Sequence, residues 1–211
     1  PYLRRKGIPA FAEMRQNQNG ELLLPVRDTA GNLLSLQRIF PDGEKRFLTG
    51  GRVSGGYFVI QGKPEKPLVI CEGYATGASI HLAYECTVFV AFAAINLPHV
   101  AGIVRRKYPD KTILICGDND EAGRSKGQEA AQTAQARLVL PVFTTGTGTD
   151  FNDLHQSEGL QEVRRQLEAS ENHPAAVGNA PSLVSLDMGD FLSMPIPERG
   201  FLLYPVLPVQ G

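Results

Sequence analysis

No apolar run in this chain approaches the roughly 20 residues that a membrane-spanning helix needs, and no secretory signal opens it. A membrane protein is therefore not expected. Cysteine is scarce: Cys71, Cys86 and Cys116 have the spacing of neither a disulfide framework nor a zinc quartet. Two of them sit inside apolar runs, as buried free thiols of a reducing compartment do, so the expected location is the cytoplasm. The G-x-x-x-x-G-K-[ST] phosphate loop of an ATPase is missing as well. So is an initiator Met; the chain begins at Pro1 and reads as a fragment of something longer.

What is present is a chain of 211 residues, 42% hydrophobic, enough for one large or two modest domains. The formal net charge of −1 hides an asymmetry. Residues 1–66 carry 11 Lys/Arg against 6 Asp/Glu, and residues 67–211 carry 10 against 16. A basic module joined to an acidic one suits polyanion handling beside a carboxylate-rich centre.

From Leu68 onward, short apolar runs at 68–71, 87–92, 112–116 and 137–143 alternate with segments long enough for helices, at 74–85, 97–108, 122–136 and 153–169. Strands spaced by helices predict right-handed βαβ crossovers and an α/β fold with a mostly parallel, four-stranded sheet buried on both faces. Upstream, strands are expected at 21–27, 33–40 and 45–49, separated by the turn signals "DTAGN" and "PDGE". They make a small antiparallel meander bearing Arg27, Arg38, Lys45, Arg46 and Arg52. The domains expected are thus a basic α+β subdomain over 1–65 and an α/β domain over 66–169. A linker and the lead-in to a further domain follow over 170–211.

In open parallel sheets, ligands bind beyond the carboxyl ends of the strands. Acids stand at three such ends here: Glu72 after the first run, Asp118 and Asp120 after the third, and Asp150 after the fourth, with Asp153 three residues on. In extended backbone, residues i and i+2 project to one side, so Asp118 and Asp120 can aim at one point while Asn119 faces away. Each like-charge pair at ~5 Å and an effective dielectric of ~20 costs roughly 3 kcal/mol. Either some of these acids stay protonated or a cation offsets them. Oxygen donors without His or Cys select a hard cation, Mg²⁺ or Mn²⁺, and such a site usually serves phosphoryl transfer.

Each acid alone has a plainer explanation. Asp118 or Asp120 can cap the next helix, Glu72 can be solvated in a tight turn, and Asp153 can cap a helix beginning at Leu154. Capping explains the joint pattern far less readily. Arg124 and Lys126, near the start of the following helix, can face nucleotide phosphates or merely solvate a helix face. Tyr74 fits a core position as well as a stacking platform. His81, His99 and His155 lack partners at ligand spacing and read as structural or surface residues.

The combination of "ICEGYATG" (70–77), "ICGDNDEAG" (115–123) and "GTDFNDL" (148–154) resembles the TOPRIM domain of primases, topoisomerases and some nucleases. The resemblance spans about residues 66–168. It implies that Glu72 acts as general acid/base or metal ligand, and that Asp118 and Asp120 bind Mg²⁺ with Asp150 joining them. Bacterial replicative primases usually carry an aspartate four residues after the glutamate; Thr76 stands there here, so either the metal shell is thinner or Asp153 contributes to it. The upstream "LLLPVRDTAGNLLSLQRIF" is similar to the basic N-terminal subdomain of the primase core in phages, plasmids and integrative elements.

What this resemblance implies is a primase: a nucleotidyltransferase making RNA primers from ribonucleoside triphosphates on a single-stranded DNA template, with a helicase or ATPase as partner. Arg38, Lys45, Arg46 and Arg52, with Arg124 and Lys126, are the candidate cations for template and nucleotide phosphates. A TOPRIM nuclease, and a catalytically silent module that recruits DNA or a helicase, are the alternatives. A type IA topoisomerase is disfavoured because its gate domains need several hundred more residues.

Overall fold

A computed structural model of the chain describes residues 1–11, 13–144 and 147–172. Within the segment expected as linker and lead-in, residues 173–211 lie outside the described ones.

The N-terminal part opens with a single helical turn, α1 (Tyr2–Arg5), and continues as a four-stranded antiparallel sheet in the order β1 (Arg15–Gln16), β2 (Leu22–Arg27), β3 (Leu33–Ile39) and β4 (Lys45–Phe47). This is the predicted meander with one short strand added. Along β3 the pattern alternates, with Ser35, Gln37 and Ile39 buried and their neighbours half-exposed, as a sheet with one covered face requires.

The second sheet has five strands rather than the four expected, in the order β5 (Phe58–Ile60), β7 (Thr87–Val90), β6 (Leu68–Cys71), β8 (Ile113–Cys116) and β9 (Arg137–Val139). The added strand, β5, pairs antiparallel with β7, and the other pairings are parallel. Its three residues between "GGY" and "QGK" are too few to show a period in the sequence. Pairing with the edge of β7 is what makes them a strand.

Strands β6, β7 and β8 are buried at every position. Val69 and Cys71 pack on one face with α2 (Tyr74–Tyr84), α5 (Phe151–Glu158) and α6 (Leu160–Asn172). Leu68 and Ile70 pack on the other with α3 (Leu97–Lys107) and α4 (Glu121–Ala134). Period-2 alternation through a two-sided core explains why these strands read as unbroken apolar runs. The first core also takes in Tyr2, Leu24, Val26 and Ile39, so the meander and the five-stranded sheet share it. Two polar contacts pin the N-terminal segment there. The Tyr74 hydroxyl donates to Pro9 O and accepts the Phe11 amide, and the Asn152 side-chain Nδ2 donates to Lys6 O.

The helix expected over 153–169 is two helices. Gly159 breaks it at φ 87°, a conformation glycine adopts without a Cβ penalty. The first of the pair also starts earlier than expected. Asp150, not Asp153, is its N-cap, accepting the Asn152 and Asp153 amides at 2.7 and 2.8 Å. Asp153 sits in the first turn and accepts the amide of Thr149, one residue before the cap, at 3.1 Å.

Candidate active site

Strand order places the ends of β6 and β8 side by side, because Cys71 is in register with Cys116. Glu72 follows the first, and Asp118 and Asp120 follow the second after Gly117. The loop that leads from β9 to α5 returns Asp150 to the same edge. The Asn119 amide donates to Thr149 O at 2.6 Å, and its side chain donates to Pro141 O at 3.4 Å. Asn119 therefore fastens the two loops together, and Asp118 and Asp120 flank that fastening.

The four carboxylates lie within one electrostatic field. Burial is the largest influence on Glu72 and raises its pKa. Asp120 and Asp150 push the same way, while Lys45 and a hydrogen bond from the Ala94 amide oppose it. Asp118 is pushed to about 7, chiefly by burial and then by Glu72, Asp150 and Asp120, with Lys45 again opposing. One Asp118 oxygen, Oδ1, is buried without a hydrogen-bond partner. A buried acceptor left in that state costs about 1–3 kcal/mol, so the arrangement is one that a cation would relieve.

Asp120 is only partly committed. Its Oδ1 caps α4 by accepting the Gly123 amide at 2.7 Å. The plainer capping role and a place at the acidic edge thus fall on the same residue. Gly123 is required at this approach, since a Cβ there would lie 2.3 Å from the Asp118 carbonyl oxygen. Asp153 is engaged elsewhere, with the Thr149 amide and with Lys6 at 3.7 Å. Thr76 is buried in the first turn of α2, 2% exposed.

Among the described residues, no three His, Cys, Asp or Glu side chains converge tightly enough to grip one ion. The donor set still fits a hard divalent cation: oxygen only, anionic, with one orphaned oxygen and an Asp118 pKa raised by burial first and by the neighbouring acids second. Glu72, Asp118, Asp120 and Asp150 are the residues that could hold it.

The basic residues divide into two groups. Arg38 is held by Glu21 through two hydrogen bonds of 2.9 and 2.8 Å, and Arg46 by Glu44 at 2.7 and 2.9 Å. Both guanidinium groups also stack over the Phe40 ring. Lys126 pairs with Glu129 at 2.7 Å. Lys45, Arg52 and Arg124 are exposed and have no ion pair within 4.0 Å among the described residues. Lys45 is the cation that acts on both Glu72 and Asp118.

Lys45 reaches the acids because β4 leans on the end of β7. There the Phe47 and Phe92 rings meet edge to face, their centroids 6.0 Å apart. Phe92 holds φ 70°, unfavourable for a bulky side chain by about 1–2 kcal/mol. Its amide donates to Glu72 O at 2.8 Å, which ties the strained residue to the acidic edge. Nothing in the sequence pattern signals Phe92 or the Ala94 amide, since both act through backbone geometry. Tyr74 is a core residue, 1% exposed. His81 and His155 make structural contacts, with Cys86 O and the Ser79 hydroxyl. The three thiols are free and buried.

Comparison with known proteins agrees with this fold. A Toprim domain model matches residues 67–161. A curated relative, DNA primase TraC of Escherichia coli, is 36% identical over 160 residues, which cover 69% of this chain and 15% of that protein. The chain thus spans less than a sixth of the relative's length. Among solved structures, the primase fragment of the bacteriophage T7 primase-helicase protein aligns with a TM-score of 0.54 and 19% identity, over 78% of this chain and 69% of that one. The zinc-binding and RNA polymerase domains of the Aquifex aeolicus primase align with a TM-score of 0.56 and 15% identity, over 80% and 55%. At these identities the two structures speak for the fold.

Proposed function

Residues 67–161 of this chain belong to the Toprim family, and from that premise we propose that the chain is the catalytic core of a DNA primase. It joins ribonucleotides into short primers on single-stranded DNA, by metal-dependent nucleotidyl transfer, in the replication of a phage or mobile element. The observation that carries the reading is the acidic edge, where Asp118 is raised to about 7 with an orphaned oxygen beside Glu72, Asp120 and Asp150. Helix capping accounts for Asp120 and Asp150 and leaves the buried, unpartnered oxygen of Asp118 without a structural role. The match to a protein named DNA primase supports the choice among TOPRIM activities.

In this reading Asp118, Asp120 and Asp150 hold Mg²⁺ or Mn²⁺, with Glu72 as ligand or base. When bound, the ion offsets the charge of the triphosphate and of the leaving pyrophosphate. The 3′-hydroxyl of one nucleotide attacks the α-phosphorus of the next; a phosphodiester P–O bond forms and the bond to pyrophosphate breaks. Glu72, whose raised pKa makes it a better proton acceptor, takes the hydroxyl proton. Lys45, next to Glu72 and Asp118, meets the phosphates from the side of the meander. Residues 1–65 form the basic subdomain and 66–169 the catalytic domain. A helicase is a fitting partner, the T7 relative being a primase-helicase protein. The buried thiols suit a cytoplasmic location.

The test is dinucleotide synthesis on single-stranded DNA with labelled ribonucleotides, in Mg²⁺ or Mn²⁺ and again in EDTA, comparing the chain with Asp118→Asn. A product that needs metal and disappears in the variant is expected. Synthesis that survives Asp118→Asn overturns the site. DNA cleavage in place of synthesis overturns the primase reading in favour of a nuclease.

A further inference from the structure

One buried group beside the acidic edge is used neither by the core nor by the chemistry described so far. Tyr2 is 4% exposed and packs in the first core, yet its hydroxyl is buried without a hydrogen-bond partner. Such a donor costs free energy for as long as it stays unpaired. A phenylalanine would fill the same space without that cost. Tyr74, buried in the same core, is the contrast: its hydroxyl is bonded on both sides, to Pro9 O and to the Phe11 amide.

The turn that carries Tyr2 joins two parts of the site. It lies against the start of α5, where the Asn152 side chain donates to Lys6 O at 2.8 Å and Lys6 Nζ stands 3.7 Å from Asp153. It also meets the meander turn just ahead of Lys45. Arg5 donates to Pro41 O at 3.2 Å, and a Cβ on Gly43 would lie 3.8 Å from the Tyr2 ring. Lys45, two residues further on, is the cation that acts on Glu72 and Asp118.

Asp150, the N-cap of α5, is the carboxylate whose charge reaches the Tyr2 hydroxyl. Burial first, and that charge second, push the hydroxyl pKa up to about 12, with Arg5 opposing. Both amides that Asp150 accepts, from Asn152 and Asp153, fall on Oδ1. Among the described residues, no hydrogen bond reaches its Oδ2. An unpaired donor and an unpaired acceptor thus stand at one corner of the acidic edge.

We propose that Tyr2 is a positioning residue of this site: when Asp150 helps to hold a divalent cation, the Tyr2 hydroxyl donates to Asp150 Oδ2 and fixes the orientation of that carboxylate. A carboxylate oxygen has lone pairs for two partners, so Oδ2 can take the hydroxyl and the cation together. Carboxylates that ligate a metal are themselves hydrogen-bonded, and loss of such an outer partner lowers metal affinity or activity by about 10–100-fold. The chain keeps, at a cost in stability, a hydroxyl that the fold does not use. That Asp150 holds a cation rests on the proposed function; the orphaned hydroxyl and its seat do not.

The experiment compares the whole chain with Tyr2→Phe and Tyr74→Phe, by thermal melts in EDTA and by titration with Mn²⁺, whose free electron paramagnetic resonance signal is lost on binding. In EDTA, Tyr2→Phe should melt at or above the wild-type temperature, because it removes an unpaired donor and breaks no bond. Tyr74→Phe breaks two bonds and should melt several degrees lower. The Mn²⁺ dissociation constant should rise at least tenfold in Tyr2→Phe and stay within twofold of wild type in Tyr74→Phe. Primer synthesis by Tyr2→Phe should fall about tenfold at limiting Mn²⁺ and recover at saturating Mn²⁺. Unchanged Mn²⁺ affinity in Tyr2→Phe overturns the role of Tyr2, and so do equal losses in the two variants, since the effect then comes through the core. A wild-type chain that holds no Mn²⁺ overturns the cation site and Tyr2 with it. Mn²⁺ affinity that depends on Tyr2, in a chain that makes no primer, defeats the primase reading alone.

Discussion

The Asp120 carboxylate accepts the Gly123 amide at 2.7 Å, so one side chain both starts a helix and stands among the acids of the candidate site. The two roles can be separated. Asp120→Ala should cost about 0.5–2 kcal/mol as a lost N-cap and also abolish primer synthesis. Asp120→Ser, which restores an acceptor for the cap, should recover most of the stability and none of the activity. Thermal melts beside the primer assay decide it. Activity in the serine variant would reduce Asp120 to a capping residue.

Asp118 sets a pH dependence. Its folded-state pKa is about 7, against an ordinary 3.8, mainly through burial and then through Glu72. Between those values the folded chain keeps a proton that the unfolded chain has lost, so stability falls as pH rises from about 4 to about 7. The loss is at most about 4 kcal/mol, since each unit is worth 1.36 kcal/mol. In EDTA the melting temperature should drop across that window. Asp118→Asn should flatten the drop, and added Mg²⁺ should reverse it above pH 7. A melting temperature that does not change over pH 4–7 would contradict the burial of this carboxyl.

Lys45 opposes the raised pKa of both Glu72 and Asp118. Removing its charge in Lys45→Met should push both carboxyls higher, so the rising limb of the pH–rate profile should move to more alkaline pH. The rate at pH 7 should fall by roughly 10–100-fold, the usual scale for one charge-stabilising donor. A profile with an unmoved limb and a lower plateau would place Lys45 on the substrate without coupling to the acids.

Arg38 gives the opposite expectation. Its guanidinium makes a two-bond pair with Glu21, a residue only 4% exposed, whose pKa it lowers. Arg38→Gln strands a buried carboxylate, so the melting temperature should fall by several degrees while affinity for a single strand changes less than twofold. Because the partner stabilises ionised Glu21, the wild-type advantage should be present above the ordinary carboxylate pKa and fade as pH falls through the lowered one. A large loss of strand affinity at unaltered stability would return Arg38 to the nucleic-acid surface.

The alternation of apolar runs and helical segments from Leu68 onward was legible because βαβ units write their period locally. The acids at the strand ends were legible for the same reason, each lying one to a few residues beyond an apolar run. Strand β5 was not, since its three residues become a strand only by pairing with β7. Nor was the break at Gly159, because a glycine inside a helical pattern does not announce a φ of 87°. The cations were the hardest to sort. Arg38, Lys45, Arg46 and Arg52 look alike in sequence, and only their neighbours separate those held by Glu21 and Glu44 from those left open.

The sequence by itself determined the α/β architecture, the antiparallel meander before it and the three motifs of the TOPRIM resemblance, since hydrophobic period and residue spacing are properties of the chain. Tertiary structure alone decided which oxygen of the acidic edge is orphaned, which acid caps a helix and which cations remain uncommitted. Those depend on distances between residues far apart in the chain. Burial and Coulomb energy, which set the pKa of Asp118, exist only once those distances are formed.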